Sequence, residues 1–285
     1  MTSGPTDLIV VGGGPVGLAA AIEGRRAGFS VLLVEPRIGP VDKACGEGLM
    51  PGTVAALHRL GVPIEGSPFR GIRYVAPNGR TTATHLFRSG VGLGVRRTAL
   101  HAALAARAVE VGVSQQTARV VGIRAAGVDG GSVVGVELDD GKVLSASWLL
   151  GCDGLHSMVR RASGLERGSD GRRFGIRRHA AVAPWADVVE VHWSSVGEAY
   201  VTPVSDHEVG LAILGPRRWA FEEALASFPS LAQRLAGAEW TTSARGAGPL
   251  QQRVSSPARG RVLLVGDAAG YVDALTGEGL RIGLA

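Results

Sequence analysis

The chain has 285 residues, enough to bury one large core or two intimately joined ones. Its 45% hydrophobic and 19% charged content describe an ordinary soluble globular protein. The net charge is +5, but only Lys43 and Lys142 are lysines, and arginines scattered without interleaved aromatics argue against nucleic-acid binding.

An apolar run at residues 8–11 reads as a buried strand. Gly12, Gly14 and Gly17 follow in G-x-G-x-x-G spacing, then a helix from 15 to about 27, stopped by Gly28. A second strand at 31–34 ends on Glu35. The glycines allow a tight turn, close approach of backbone to a pyrophosphate, and packing of helix on sheet. Free N–H groups at the helix start attract phosphate charge. Glu35 stands 21 residues beyond Gly14, where an acid can accept both hydroxyls of a ribose. In a chain with 43 glycines the motif alone is weak; strand, helix, strand and acid in register make it specific. The uncharged stretch 8–22 is better explained as this strand and helix than as a membrane span. An apolar strand so close to Met1 leaves no room for a signal peptide.

A loop through Lys43-Ala-Cys-Gly-Glu-Gly48 leads to a short helix from Pro51 bearing Val54, Leu57 and Leu60, closed by Gly61. Residues 72–86 read as extended segments around an Asn78-Gly79 hairpin turn. Arg97 precedes an amphipathic helix carrying Leu100, Ala103, Leu104, Ala108 and Val111, closed by Gly112. Residues 120–123, 133–138 and 142–145 alternate like strands, with turns at Asp129-Gly130 and Asp140-Gly141. A short buried strand at 148–152 delivers Asp153-Gly154. From about 174 to 214, short β-prone runs separated by turns indicate an antiparallel sheet, hence a second domain or a large insertion. A helical stretch from 219 to about 235 is interrupted at Pro229. Residues 261–265 restore a parallel-type strand ending in Gly266-Asp-Ala-Ala-Gly270. Cys45 and Cys152 are the only cysteines, so no disulfide framework is implied and a reducing cytoplasm fits. The seven histidines show no metal spacing, and no paired carboxylates or nucleophile–base set stands out.

Three motifs line up: the glycine turn with Glu35, Gly151-Cys-Asp-Gly-Leu-His-Ser-Met-Val-Arg160, and Val265-Gly-Asp-Ala-Ala269. Together they resemble the FAD-dependent monooxygenase superfamily of para-hydroxybenzoate hydroxylase. Lys43-Ala-Cys-Gly-Glu-Gly48 and Leu275-Thr-Gly-Glu-Gly-Leu280 look most like its geranylgeranyl-reductase branch. The resemblance implies an α/β fold: a three-layer, Rossmann-like FAD-binding domain (1–66, 93–165 and 253–285) with an inserted antiparallel-sheet substrate domain (67–92 and 166–252). It implies that Glu35 holds the adenosine ribose while Gly12, Gly14 and Gly17 approach the pyrophosphate. Arg37 and Arg97 would neighbour the nucleotide portion of FAD, and Val120 would lie against the adenine. Asp153 would assist FAD and nicotinamide binding, and Asp267 would hold the ribityl chain. Gly277, Gly279 and Leu280 belong to a helix start whose N–H groups would stabilise an anionic reduced flavin. Duller readings stand beside these. Asp153 and Asp267 also suit turns or N-caps, and Arg37 and Arg97 also suit the surface.

By the same resemblance the protein is an FAD-dependent oxidoreductase using NADH or NADPH. The leading expectation is a monooxygenase hydroxylating an aromatic or polyketide-like small molecule through a flavin hydroperoxide. The rival is a reductase saturating isoprenoid double bonds. No Trp-x-Trp-x-Ile-Pro run supports a halogenase. Cys45, Tyr200 and Pro203 are candidate pocket residues, and Cys45 is a weak catalytic candidate. Tyr200 equally suits a core, and Cys152 suits one better than chemistry. Family members continue past the Thr-Gly-Glu-Gly segment, whereas this chain stops at Ala285. It therefore looks C-terminally short, and a truncated, non-catalytic flavin-binding protein is a further expectation. A small-molecule substrate and a cytoplasmic location are expected; substrate identity and oligomeric state stay open.

Overall fold

The computed structural model describes residues 6–126, 133–168 and 171–285; the Asp129-Gly130 turn lies outside them. Its central sheet has a parallel stretch in the order 114–116, 31–34, 6–11, 143–151, 262–264, and strand 258–259 adds an antiparallel edge beside 262–264. Strand Thr6–Val11 sits at the middle because both of its faces are apolar. Side chains alternate across a strand, so Leu8 and Val10 join one core cluster with Leu18, Ile22 and Leu33. Ile9 and Val11 join a second with Val34, Val120, Val136 and Leu149.

Helix Pro15–Arg26 packs against strands Thr6–Val11 and Val31–Val34 and against helix Arg97–Glu110. Pro15 starts the first helix with its φ already near the helical value. Gly28, at φ +90°, ends it, with Phe29 N–H donating back to Gly24 O at 3.0 Å. Leu100, Leu104 and Ala108, at helical spacing, are buried on the second helix. Burying each such leucine contributes roughly 1.5–3 kcal/mol.

The strands expected at 142–145 and 148–152 are one continuous strand, Val143–Gly151. Its first half pairs antiparallel with Val133–Leu138 and its second half parallel with Thr6–Val11. Ala146, fully buried, contacts both partners at once, so no break is needed where the alternation changes.

A seven-stranded sheet runs in the order 245–247, 174–180, 208–215, 198–205, 189–193, 71–75, 82–86. It is antiparallel except for one pair: Val189–Trp193 lies parallel to Gly71–Val75. The antiparallel sheet expected from the sequence takes in this one parallel pair where the chain returns from a distance rather than through a hairpin. Helices Phe221–Ala226 and Pro229–Arg234 cover one face, packing Phe221, Phe228 and Leu231 on Val201, Leu211 and Ile213. Three short strands, Gly48–Leu49, Ser67–Phe69 and Gly92–Gly94, form a small sheet without a counterpart in the sequence reading. Among the described residues no helix is long and apolar enough to cross a membrane.

One acid in the large sheet should govern acid stability. Glu190 is buried, which alone would raise its carboxyl. Hydrogen bonds from His192 (3.0 Å), Trp185 Nε1 (2.9 Å) and Arg73 (3.1 Å) overcome that and lower it to about 2. A depressed carboxyl stabilises the fold fully above the ordinary glutamate range and loses that contribution as pH falls towards about 2. Glu190→Gln should therefore lower stability at neutral pH by about 3 kcal/mol. The gap from wild type should close in acid, as followed by thermal unfolding across pH.

Candidate functional site

The glycine turn is shaped by contacts that exclude side chains. Gly12 has φ +104°, and a Cβ on it would lie 2.6 Å from Cys152 O and 2.8 Å from Asp153 N. A Cβ on Gly17 would lie 1.8 Å from Gly12 O. Gly14 differs: a Cβ there would meet only Arg97 Nη2, at 3.8 Å. The turn is thus closed on its inner side and open on the side that Arg97 faces.

Glu35 fastens the turn to the next strand, accepting from Gly13 N–H at 2.7 Å. Arg37 grips the same carboxylate with Nε at 2.6 Å and Nη2 at 2.9 Å. Burial pushes the Glu35 carboxyl up, but the Arg37 fork and the Gly13 and Arg37 amides hold it below its ordinary value. Glu35 is therefore an ionised acceptor at the strand tip. Val120, 7% exposed, lies in the cluster containing Val11 and Val34, directly before that tip.

Arg97 is buried, and its Nη1 has no hydrogen-bond partner among the described residues. Lys43, which the sequence reading passed over as a site residue, enters the same space: its Nζ is 3.7 Å from where a Cβ on Gly154 would sit. Burial lowers the Lys43 ammonium, Arg37 and Arg97 lower it further, and Glu35 and Asp267 pull it back. The fields of Glu35 and Asp267 both reach this one ammonium. The two acids, 232 residues apart in sequence, thus lie on the same side of the molecule, around Lys43. The donors and acceptors gathered here suit a pyrophosphate-bearing dinucleotide. Arg97 offers an unsatisfied buried N–H, Gly14 leaves room for close approach, and Glu35 and Asp267 stand as acceptors.

Asp153 takes the role of a helix cap. Its Oδ2 accepts from Met158 N–H at 2.7 Å and Val159 N–H at 3.0 Å, at the start of helix Met158–Ala162. Its Oδ1 is buried without a hydrogen-bond partner among the described residues, and its backbone forms the wall against Gly12. Asp267 lies in the single turn Gly266–Ala269 after strand Val262–Leu264. Burial raises its carboxyl, opposed by Lys43 and Arg97. Gly277 has φ +63°, and helix Gly279–Gly283 follows, with Leu280 packed on the first core cluster. Tyr271, also absent from the sequence reading, packs near Gly279, where a Cβ would be 3.7 Å from its ring. Its phenol is pushed up by burial, then by Asp267, Asp273 and Cys45, which places it among those groups. A cavity of about 670 Å³ opens beside it, lined by Arg167, Gln252, Val254, Ala269 and Gly270.

Cys45 is half-buried, and its Sγ accepts from Glu47 N–H at 3.4 Å. Burial pushes its thiol up, so at neutral pH it carries its proton. Tyr200 donates to Leu275 O at 2.9 Å, and Thr202 donates to Gly46 O at 2.7 Å. That face of strand Glu198–Ser205 therefore meets the loops at Gly46 and Leu275. Pro203 does not share it: it lines a separate cavity of about 470 Å³ with Ser67, Pro68, Pro184 and Asp206. A separation of three residues puts Tyr200 and Pro203 on opposite faces of a strand. Among the described residues no group of histidine, cysteine, aspartate and glutamate could hold a metal ion.

The family described as "FAD binding domain" matches residues 5–285. The chain is 30% identical to a menaquinone reductase of Mycobacterium tuberculosis (strain ATCC 25618 / H37Rv), over 98% of this chain and 74% of that protein. It is 33% identical to a rifampicin monooxygenase of Rhodococcus hoagii, over 55% of this chain and 33% of that one. Among solved structures, the flavin-dependent halogenase CmlS superposes with a TM-score of 0.87 at 18% identity. That match covers 99% of this chain and 56% of the halogenase, and it speaks for the fold alone.

Proposed function

We propose that this chain, a member of the FAD binding domain family, is an FAD-dependent reductase of an unsaturated isoprenoid lipid. The observation that supports flavin binding is the gathering of the buried Arg97, with its unpartnered Nη1, and Lys43 beside the strand-tip acids Glu35 and Asp267. Likeness to a menaquinone reductase over nearly the whole chain favours reduction over hydroxylation. Menaquinone bears an isoprenoid chain, and the Cys45 loop and Thr276-Gly-Glu-Gly279 resemble the geranylgeranyl-reductase branch. Hydroxylation of a small molecule is the second reading, favoured by the likeness to a rifampicin monooxygenase over half the chain.

Bound FAD would supply two-electron transfer, with NADH or NADPH as the electron source. Glu35 would accept the adenosine ribose hydroxyls, its charge kept in place by Arg37. Arg97 Nη1 and the Lys43 ammonium would neutralise the pyrophosphate. Asp267 would take hydrogen bonds from the ribityl hydroxyls. Cys45 would meet substrate as a protonated thiol, a neutral donor rather than a thiolate nucleophile.

The experiment is product analysis after anaerobic incubation with FAD, NADPH or NADH, and a menaquinone-type lipid. The reductase reading expects a product that gains two hydrogens without oxygen. Product formed only in air, carrying one added oxygen atom, would overturn it in favour of hydroxylation. Arg97→Met tests the candidate site itself: FAD affinity should fall at least about tenfold, about 1.4 kcal/mol, in a fluorescence titration. Removing an unsatisfied buried N–H should leave the melting temperature of the flavin-free protein unchanged or higher.

A further inference from the structure

Residues 42–48 carry Lys43 and Cys45, and the seven-stranded sheet holds this loop at three points. At the start, the fully buried Arg177 pairs with Asp42 and donates to Lys43 O at 3.2 Å. In the middle, Thr202 Oγ1 donates to Gly46 O at 2.7 Å. At the end, His179 Nε2 meets Glu47 Oε2 at 2.5 Å, both side chains 1% exposed.

Glu47 is the non-glycine residue with a positive φ (60°) among the described residues. A left-handed glutamate persists only where its surroundings over-determine it. They do so here: Glu47 Oε1 accepts the Arg97 amide at 2.8 Å, and Glu47 O accepts the Val95 amide at 2.9 Å. His179 Nδ1 faces Arg177 Nη1 at 3.1 Å, Arg96 Nη1 at 3.3 Å and Thr242 Oγ1 at 2.9 Å. Guanidinium groups only donate, so Nδ1 is the acceptor, and the imidazole proton lies on Nε2, directed at Glu47. The pair is a neutral imidazole donating to a carboxylate that also caps the first amide of the Arg97 helix.

We propose that Glu47 is a positioning residue: clasped by His179, it sets how deeply Cys45 and Lys43 enter the candidate site and locks that depth to the seven-stranded sheet. The strained turn around Glu47 is the hinge of the clasp, and the sheet is its anchor. A shift of strand Phe174–Ala180 would then move the thiol and the ammonium together, joining the face that meets substrate to the one that meets cofactor. The cofactor half rests on the proposed reading of the candidate site; the thiol half does not.

The test is maleimide labelling of the folded, full-length protein, mapped by mass spectrometry, with buried Cys152 as the internal standard. Glu47→Ala should speed labelling of Cys45 at least tenfold and leave Cys152 unchanged. His179→Leu should do the same. His179→Gln retains an N–H donor near the Nε2 position and should keep the wild-type rate. An unchanged Cys45 rate in Glu47→Ala or His179→Leu would overturn the clasp. So would a glutamine variant that behaves like the leucine one, or parallel acceleration at Cys152, which signals general loosening. Should Glu47→Ala fail to fold, the two His179 variants decide. FAD titration of His179→Leu should show at least tenfold weaker binding than His179→Gln. Wild-type protein that binds no FAD would defeat the cofactor reading alone, because the labelling pattern does not involve the flavin.

Discussion

Gly17→Ala is expected to weaken flavin binding by breaking the fold around the turn, whereas Gly14→Ala, three residues away, should weaken it in a protein that stays folded. A Cβ on Gly17 would sit 1.8 Å from Gly12 O, an overlap that only backbone movement can relieve. Gly12 has little room to yield, because even a Cβ on its other side would lie 2.6 Å from Cys152 O and 2.8 Å from Asp153 N. Helix Pro15–Arg26 would have to lift from the strand it covers, pulling Leu18 and Ile22 out of the first core. Strain of this kind belongs among the costliest single substitutions, about 4 kcal/mol or more. In a chain of this size that lowers the melting temperature by about 10 °C. At Gly14 the backbone (φ −71°, ψ 175°) suits alanine, and the added methyl meets only the end of Arg97. The flavin-free Gly14→Ala protein should melt with wild type. Its FAD affinity should still fall at least about tenfold, because the methyl occupies the space a phosphate must approach. Thermal unfolding and flavin titration of both variants separate the two outcomes. Equal melting temperatures for both would show that the turn is not packed as described.

What the sequence discloses is what local geometry dictates. The glycine turn, the Asn78-Gly79 hairpin and helix Arg97–Glu110 depend on neighbours a few residues apart, and each stands where its pattern puts it. The strand Ser114–Gln116 was not legible, because a Ser-Gln-Gln edge has no apolar alternation and takes its place by pairing with Val31–Val34. The groups that give the candidate site its character were also hidden, since their partners lie far along the chain. Glu47 and His179 are 132 residues apart, and the fields of Glu35 and Asp267 meet only at Lys43. Asp153 shows that a motif can be read correctly and its side chain still serve a duller purpose: the carboxylate caps a helix, and its backbone walls the turn. Pro203 parts from Tyr200 into another cavity, because residues three apart on a strand face opposite ways.

Arg160→Met should destabilise the protein more than the loss of any exposed ion pair. The guanidinium is 1% exposed. Its Nη2 donates to Leu155 O at 2.7 Å and Gln252 Oε1 at 2.9 Å, and its Nη1 to Ala268 O at 3.3 Å. It therefore ties the second glycine motif to the turn that carries Asp267. Gln252 extends the tie by exchanging backbone hydrogen bonds with Tyr271 at 2.8 and 3.0 Å. Methionine would fill much of the space but leave those buried acceptors without a donor, costing about 3–5 kcal/mol, or about 10 °C in melting temperature. Glu166→Gln provides the contrast. That carboxylate is 38% exposed and lies 3.4 Å from Arg160, so its loss should cost no more than about 1 kcal/mol. Arg160→Lys keeps the charge but, as a compact ammonium, cannot span Leu155, Gln252 and Ala268 together. It should melt between methionine and wild type. Its FAD affinity should nevertheless suffer out of proportion to its stability, because Asp267 is no longer registered against the Asp153 wall. A lysine variant that bound flavin like wild type would separate the tie from the cofactor site and leave Arg160 as a purely structural cation.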